Sequence, residues 1–156
     1  MVFGQVVNGE MVLNEVGEMV KEIIDQIPEH YLGINVEVSV IMPNHVHLLF
    51  LITDVVAGPC ACHSNQPIDG QPQGVAPTEE RLSLPEIVHR IKSLTTNRYM
   101  IGVRDKGWPQ FEKRFWQRNY YEHIIKNEWD YLAIYDYILA NPMNWEKDEE
   151  NARPLR

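Results

Sequence analysis

The chain has 156 residues, of which 44% are hydrophobic and 23% charged, and its formal net charge is −8. This length and composition are ordinary for one globular domain with a substantial core. We expect no membrane span, because no apolar run reaches about 18 residues, and the first residues lack the pattern of a secretory signal. The two cysteines, Cys60 and Cys62, are too close to link distant parts of a fold, so we expect a cytoplasmic protein.

Charge is unevenly distributed along the chain. The segment Arg81–Arg118 holds nine Lys/Arg and three acidic residues, a net charge of about +6. The remainder holds five basic and nineteen acidic residues, a net charge of about −14. A basic segment on an acidic body is typical of a phosphate-binding face, although a solvated helix without a partner has the same pattern.

The N-terminal segment predicts a hairpin followed by a helix. Residues 3–13 place the turn-forming pair Asn8-Gly9 between two apolar runs. Apolar residues at helical spacing follow, with Asn14 as the N-cap and Pro28 at the predicted end of the helix.

A second hairpin is predicted next. Val36, Val38 and Val40 alternate on one face of a half-buried strand. A turn at Pro43 and Asn44 then leads into a second strand, "HVHLLFLI".

Residues 57–79 change the character of the sequence. They are rich in proline and have no periodicity, which predicts a mobile surface loop inserted into the domain. Within it, Cys60, Cys62 and His63 form a weak zinc motif, because no second cluster of ligands accompanies them; a plain loop is the simpler interpretation.

The C-terminal half predicts a helix, a strand and a second helix. Ser83 and Glu86 form a capping box at the start of the first helix. Residues 107–125 predict a turn and then an aromatic, β-prone strand. The last helix is predicted to begin after Asn127 and to stop before Pro142.

This order of elements predicts a single α+β domain over residues 1–156, with helices packed on an antiparallel sheet. Residues 146–156 are polar and predict a loosely held tail.

Two histidines interrupt the apolar stretch "MPNHVHLLF". Because strand residues alternate between faces, Val46, Leu48 and Phe50 are expected on the core face and His45 and His47 on the other. The two histidines would lie roughly 6.5–7 Å apart along the strand, where two imidazoles can hold one divalent metal. A pair of hydrogen-bonded structural histidines is the alternative.

The last helix offers further ligands and a nucleophile. Tyr137 and Asn141 are four residues apart and therefore share a helical face. An ordinary helix with Asn141 as a structural residue near its end fits the same pattern. The residues alone do not choose between Tyr137 and its competitors, Tyr120, Tyr121, Tyr131 and Tyr135.

Two longer stretches carry a resemblance to a known family. "VIMPNHVHLLF", followed at a distance by "WQRNYYEHIIKNEWDYLAIYDYILANPMNW", resembles the single-tyrosine transposases of the HUH superfamily, in particular the branch associated with repetitive extragenic palindromes. HUH denotes two histidines around a hydrophobic residue, which residues 45–47 match. A tyrosine followed after three residues by Asn or Gln matches Tyr137 and Asn141. The resemblance covers residues 3–145, almost the whole chain.

The resemblance implies a ferredoxin-like, RRM-like fold, in which helices pack on one face of an antiparallel sheet. Members of this branch usually begin with a further strand of the "YFVT" kind. The resemblance therefore also implies a truncated N-terminus here, and an additional strand beside the histidine strand in the complete family fold.

The resemblance also implies a reaction. His45, His47 and Asn141 would hold Mg²⁺ or Mn²⁺, and Tyr137 would attack a phosphate of single-stranded DNA to leave a 5′-phosphotyrosine and a free 3′-hydroxyl. The enzyme would be a DNA transposase or tyrosine endonuclease that cleaves and rejoins hairpin or palindromic DNA.

The implied partner is single-stranded or hairpin DNA, with a homodimer as a further expectation from related transposases. Lys92, Arg98 and Arg118 are the candidates for phosphate contacts. Candidates for stacking on unpaired bases are Trp116, Tyr120 and Tyr121, although burial in the core is the more common role of such aromatic residues.

Two other functions stay open at this stage. One is a catalytically inactive remnant that still binds hairpin DNA, which the implied loss of the first strand favours. The other is a structural metal-binding domain unrelated to DNA.

Overall fold

The computed structural model describes residues 2–53, 82–148 and 151. It is a mixed α+β structure, as the sequence predicts, with two antiparallel two-stranded sheets, β1–β2 and β3–β4. The elements in chain order are β1 (Gly4–Val7), β2 (Glu10–Leu13), α1 (Glu15–Asp25), α2 (Ile27–His30), β3 (Ile34–Ile41), β4 (Val46–Ile52), α3 (Leu84–Lys106), α4 (Glu128–Asn144) and a 3₁₀ turn (Trp145–Lys147).

The first hairpin and its helix confirm the local predictions. Asn8 and Gly9 join β1 to β2 with φ angles of 54° and 81°, the left-handed pair that tight hairpin turns require. The Asn14 side chain caps α1 by accepting from the backbone N–H groups of Val16 and Gly17. The predicted end of the helix is wrong, because α1 stops at Asp25. Pro28 instead lies in the first turn of α2, where the backbone N–H groups have no partner within the helix, so proline, which lacks an N–H, is tolerated there.

A β-bulge changes the predicted faces of β3. The strands β3 and β4 pair antiparallel, with a shift in register between Val36 and Val38. The bulge turns Val36 toward one core cluster and Val38 and Val40 toward another. The prediction that all three valines share a face is therefore wrong for Val36, because a bulge breaks the alternation on which it depends.

Helices cover both faces of the β3–β4 sheet. On the face we call the aliphatic face, Val46, Leu48 and Phe50 pack against the cluster built by α1 and α3. On the other, which we call the α4 face, Val38 and Leu49 pack against α4. The expectation that helices lie on one face is therefore wrong, since both sets of alternating side chains in β4 are apolar enough to require cover.

The segment between α3 and α4 is not the predicted strand, because Gly107–Asn127 forms neither strand nor helix. Aromatic contacts hold it instead: the ring of Phe115 lies 4.5 Å from that of Tyr99. The indole N–H of Trp116 donates to Thr95 Oγ1 at 2.7 Å. The aromatic residues of this segment thus pack against α3 rather than forming part of a sheet.

The two long C-terminal helices begin where their caps predict. Glu86 accepts from the Ser83 backbone N–H at 2.7 Å, and Asn127 accepts from the backbone N–H of Asp130 at 3.0 Å. The predicted stop before Pro142 is wrong, because α4 continues to Asn144.

Some predictions concern residues that the structure does not describe. The loop at 57–79, with Cys60, Cys62 and His63, lies outside the described residues, and of the predicted tail only 146–148 and 151 are described. Within the described ranges, no helix has both the length and the apolar character needed to cross a bilayer.

Candidate metal and tyrosine site

The turn before β4 holds His45 in a fixed position. The backbone N–H of Met42 donates to the His45 carbonyl at 2.8 Å, which closes the turn. The Pro43 carbonyl accepts from the N–H groups of Val2 and Phe3 at 3.0 and 3.1 Å. Met42 and Pro43 are buried. The N-terminal segment therefore anchors the turn that presents His45 at the start of β4.

The two histidine side chains contact each other directly. Their Nε2 atoms lie 2.9 Å apart, and the rings are nearly perpendicular. His45 Nδ1 lies 2.8 Å from Asn44 Oδ1; since an amide oxygen only accepts, Nδ1 carries the proton. Nε2 of neutral His45 is then a lone pair, which accepts the N–H of His47. Asn44 thus selects the tautomer in which the Nε2 lone pair of His45 faces His47.

Burial keeps both imidazoles neutral. Loss of solvent lowers the pKa of His47 to about 4, with a further contribution from His45 and a smaller opposing one from Asp148. Burial also lowers the pKa of His45, against an opposing effect of Asp148. At neutral pH both rings therefore have nitrogen lone pairs available, the form in which histidine binds metals.

The helix α4 and the 3₁₀ turn after it place two aromatic rings beside the histidine pair. The ring of Tyr137 lies 5.7 Å from that of His47, and the ring of Trp145 lies 6.0 Å from that of His45. Asn141 is one helical turn from each and so shares their face. It is only 4% exposed, and its Nδ2 donates to the Tyr137 carbonyl at 3.1 Å, a bond that does not use its Oδ1.

Tyr137 is the tyrosine that the fold brings to the histidines. In the described part of the chain, no other tyrosine has a ring contact with them. Tyr131 and Tyr135 stack on each other and pack against the Val38–Leu49 cluster. Tyr137 is 58% exposed, so a large substrate can reach its ring, which lies nearly perpendicular to that of His47.

Asp148 also lies at the site, although the sequence did not predict it there. Its Oδ2 lies 4.0 Å from His45 Nε2, and its side chain is 16% exposed. The 3₁₀ turn after α4 brings it there, and the Asp148 N–H donates to the Trp145 carbonyl at 3.2 Å. Sequence reasoning missed it because it lies among several acidic residues near the C-terminus, and nothing in the pattern distinguishes one of them.

The histidine pair fits a divalent ion as two neighbouring ligands. Neighbouring ligands about 2.1 Å from one ion lie about 3 Å apart, close to the 2.9 Å between the two Nε2 atoms, and His47 would bind through Nε2 once its proton lies on Nδ1. Among the described residues, however, no three His, Cys, Asp or Glu side chains stand together as a ready metal site. Candidates for a third ligand are the amide oxygen of Asn141 and a carboxylate that moves closer.

The three basic candidates lie in different environments. Lys92 donates to the carbonyls of Gln117 and Arg118 at 2.9 and 3.3 Å, and partial burial lowers its pKa. It therefore anchors the segment before α4. The side chains of Arg98 and Arg118 are exposed. Within the described ranges, no contact joins any of the three to the histidine pair.

The three candidates for stacking on unpaired bases also differ in their environments. The ring of Trp116 packs 5.3 Å from that of Phe3 and belongs to the core. Tyr120 lies beneath the Lys92 ammonium at 5.5 Å. Tyr121 is 91% exposed and is therefore the candidate most accessible to an unpaired base.

The fold and the site together define an α+β protein with a half-buried histidine pair facing a helix-borne tyrosine. No family model and no solved structure matches the sequence. The chain is 35% identical over 150 residues to a Haemophilus influenzae protein named only as uncharacterized, covering 94% of this chain and 76% of that protein. The chain belongs to the same family as this Haemophilus protein.

Proposed function

We propose that the chain is a metal-dependent enzyme that cleaves and rejoins single-stranded DNA through a 5′-phosphotyrosine on Tyr137. The observation that carries the proposal is the position of Tyr137 against His47, in a pair of neutral histidines suited to a divalent ion. The resemblance to HUH single-tyrosine transposases supports the same assignment. Hairpin or palindromic DNA is the proposed substrate.

His45, His47 and Asn141 are the proposed ligands of Mg²⁺ or Mn²⁺. Two neutral imidazoles suit Mn²⁺ better than Mg²⁺, which prefers oxygen ligands. When bound, such an ion neutralises charge on the phosphate oxygens and helps to orient the phosphate. Asn44 assists by fixing the tautomer of His45.

Tyr137 is the proposed nucleophile. Its Oη forms a bond to phosphorus while the bond from phosphorus to the 3′-oxygen breaks, and the phenol proton leaves to solvent or to that oxygen. The phosphodiester count is unchanged, so a 3′-hydroxyl can attack the phosphotyrosine and rejoin a strand without a nucleotide triphosphate. The exposure of Tyr137 leaves room for a DNA strand.

The proposal also includes a ferredoxin-like sheet and a homodimer. Within the described residues β4 pairs only with β3, so one edge of β4 has backbone groups available to a further strand. A strand added there would lie beside His47 and would extend the sheet toward the ferredoxin-like arrangement.

A second candidate function is hairpin-DNA binding without chemistry. The observation in its favour is that no three-ligand set of His, Cys, Asp or Glu is assembled in the described part of the chain. In this case the basic segment would bind DNA while the tyrosine stays inert.

A covalent-adduct assay tests the proposal. The full chain is incubated in Mn²⁺ with a DNA hairpin that has single-stranded flanks, and adducts are resolved on a denaturing gel. We expect an adduct for wild type and for the matched control Tyr121→Phe, whose ring is also exposed, but none for Tyr137→Phe, which should still bind the hairpin.

Each other outcome has a defined meaning. An adduct with Tyr137→Phe would show that Tyr137 is not the nucleophile. Salt-sensitive hairpin binding with no adduct in Mn²⁺ or Mg²⁺ would support the binding function. Absence of DNA binding together with retained metal would indicate a structural metal-binding domain.

A further inference from the structure

The carboxylate of Asp148 lies beside the histidine pair. Its Oδ2 is 4.0 Å from His45 Nε2, and it is close enough to both rings to oppose the effect of burial on their pKa values. It is largely shielded from solvent, on the 3₁₀ turn that follows α4. A carboxylate is thus held near the Nε2 atom of His45.

The charge of the site indicates what this carboxylate does. His45, His47 and Asn141 are all uncharged ligands. A divalent ion held by them alone would therefore have no negative charge beside it to balance its own in a half-buried place. Transfer of an uncompensated charge out of water is costly. Mg²⁺ and Mn²⁺ also favour carboxylate oxygen as a ligand.

The distance allows a role as a ligand after a small movement. Neighbouring ligands of one ion lie about 3 Å apart, so Asp148 Oδ2 is about 1 Å too far from His45 Nε2. Its backbone is extended where it leaves the 3₁₀ turn, and rotation of a short side chain covers such a distance.

We propose that Asp148 is a carboxylate ligand of the divalent ion held by His45 and His47. The inference rests on the metal site of the proposed function and adds a charged ligand to it. Asp148 thereby couples the segment after α4 to metal binding, since the ion would connect this turn to the start of β4.

Titration of the metal-free full chain with MnCl₂, followed by calorimetry and by the electron paramagnetic resonance of free Mn²⁺, tests the inference. We expect Asp148→Asn to weaken Mn²⁺ binding by about tenfold or more, and Asp148→Glu to recover part of the loss. Glu146→Gln, an exposed carboxylate on the same turn, is the matched control and should bind as wild type does. His47→Ala defines the signal of a lost site.

The outcomes separate this inference from the proposed function. Wild-type affinity in Asp148→Asn, with binding lost in His47→Ala, would overturn the role of Asp148 and leave the histidine site standing. Tighter binding in Asp148→Asn would overturn it as well, because the carboxylate would then hinder the ion. Equal binding by wild type and His47→Ala would remove the metal site itself. A melting curve of each variant verifies that it is folded.

Discussion

The two faces of the β3–β4 sheet differ in what their covering helices bring to them. On the aliphatic face, α1 and α3 contribute side chains such as Val20, Ile24 and Ile87, which are fully buried. On the α4 face, the helix contributes tyrosines and the buried amide of Asn141 to the strand that carries His47. Because neighbouring residues of β4 point to opposite faces, one strand serves both.

Under the proposed function, this difference corresponds to a division between stability and chemistry. Apolar burial on the aliphatic face supplies free energy of folding in proportion to the area removed from water. On the α4 face, a smaller apolar cluster around Val38 and Leu49 is accompanied by buried polar groups, and burial there holds two histidines neutral. The comparison predicts that substitutions on the two faces will have opposite consequences for stability and for function.

The largest effect on stability is expected on the aliphatic side. Ile24→Ala removes a side chain that is fully buried between α1 and the sheet and should lower the free energy of unfolding by about 2–5 kcal/mol. Leu132→Ala, on the exposed side of α4, should change it by less than about 0.5 kcal/mol. Urea denaturation measures both; similar losses would contradict the role of the aliphatic face as the stabilising core.

A pH-dependent effect is expected on the α4 face. The pKa of His47 is lowered to about 4 in the folded chain, so between the ordinary value of about 6.5 and about 4 the unfolded chain binds more protons. Stability contributed by the neutral ring is therefore present above pH 6.5 and is lost as the pH falls through this window, by about 1–3 kcal/mol.

The measurement compares urea unfolding of wild type and His47→Leu from pH 7.5 to 4 in a chelating buffer. The carboxylates titrate in both chains, so their contribution cancels in the difference. We expect the variant to lose less stability than wild type between these pH values. Parallel curves would show that the ring is not held neutral.

At neutral pH, His47→Leu should change the free energy of unfolding less than the two changes above do. Leucine is apolar and fits beside Leu49 on a covered face, and the His45 side chain retains enough exposure to find water in place of its lost partner. The free energy of unfolding should change by less than about 1 kcal/mol, while Mn²⁺ binding is lost. A loss above about 2 kcal/mol would identify the histidine pair as a structural hydrogen bond.

Local features of the fold could be predicted because each depends on a few neighbouring residues. Asn8 and Gly9 have the conformational freedom that the turn requires, and Asn14 has an oxygen at the right distance from the first free N–H groups. The faces of β4 followed from alternation alone. None of these depends on a distant part of the chain.

The remaining features depend on contacts that no local pattern contains. The bulge between Val36 and Val38 alters faces without altering the alternation of residue types. The aromatic segment before α4 has strand propensity, but its rings find partners on α3. The position of Tyr137 beside His47 results from the packing of α4 on the sheet, and that of Asp148 from the turn after it.

The smallest effect on stability is expected at the residue with the largest proposed effect on chemistry. Tyr137→Phe keeps the ring that contacts His47 and removes only a hydroxyl from a side chain that is mostly exposed. The free energy of unfolding should change by less than about 0.5 kcal/mol, as for other surface substitutions. Urea denaturation at pH 7.5 measures it, beside Tyr121→Phe as the matched control.

This near-neutral result matters because it separates chemistry from folding. If Tyr137→Phe is as stable as wild type and still binds hairpin DNA, the absence of a covalent adduct can only reflect the missing oxygen. A loss of more than about 1 kcal/mol would mean that the hydroxyl makes a structural bond and that the adduct assay reports folding as well. The α4 face would then contribute to stability in the same way as the aliphatic face, and the division between the two would not hold at this residue.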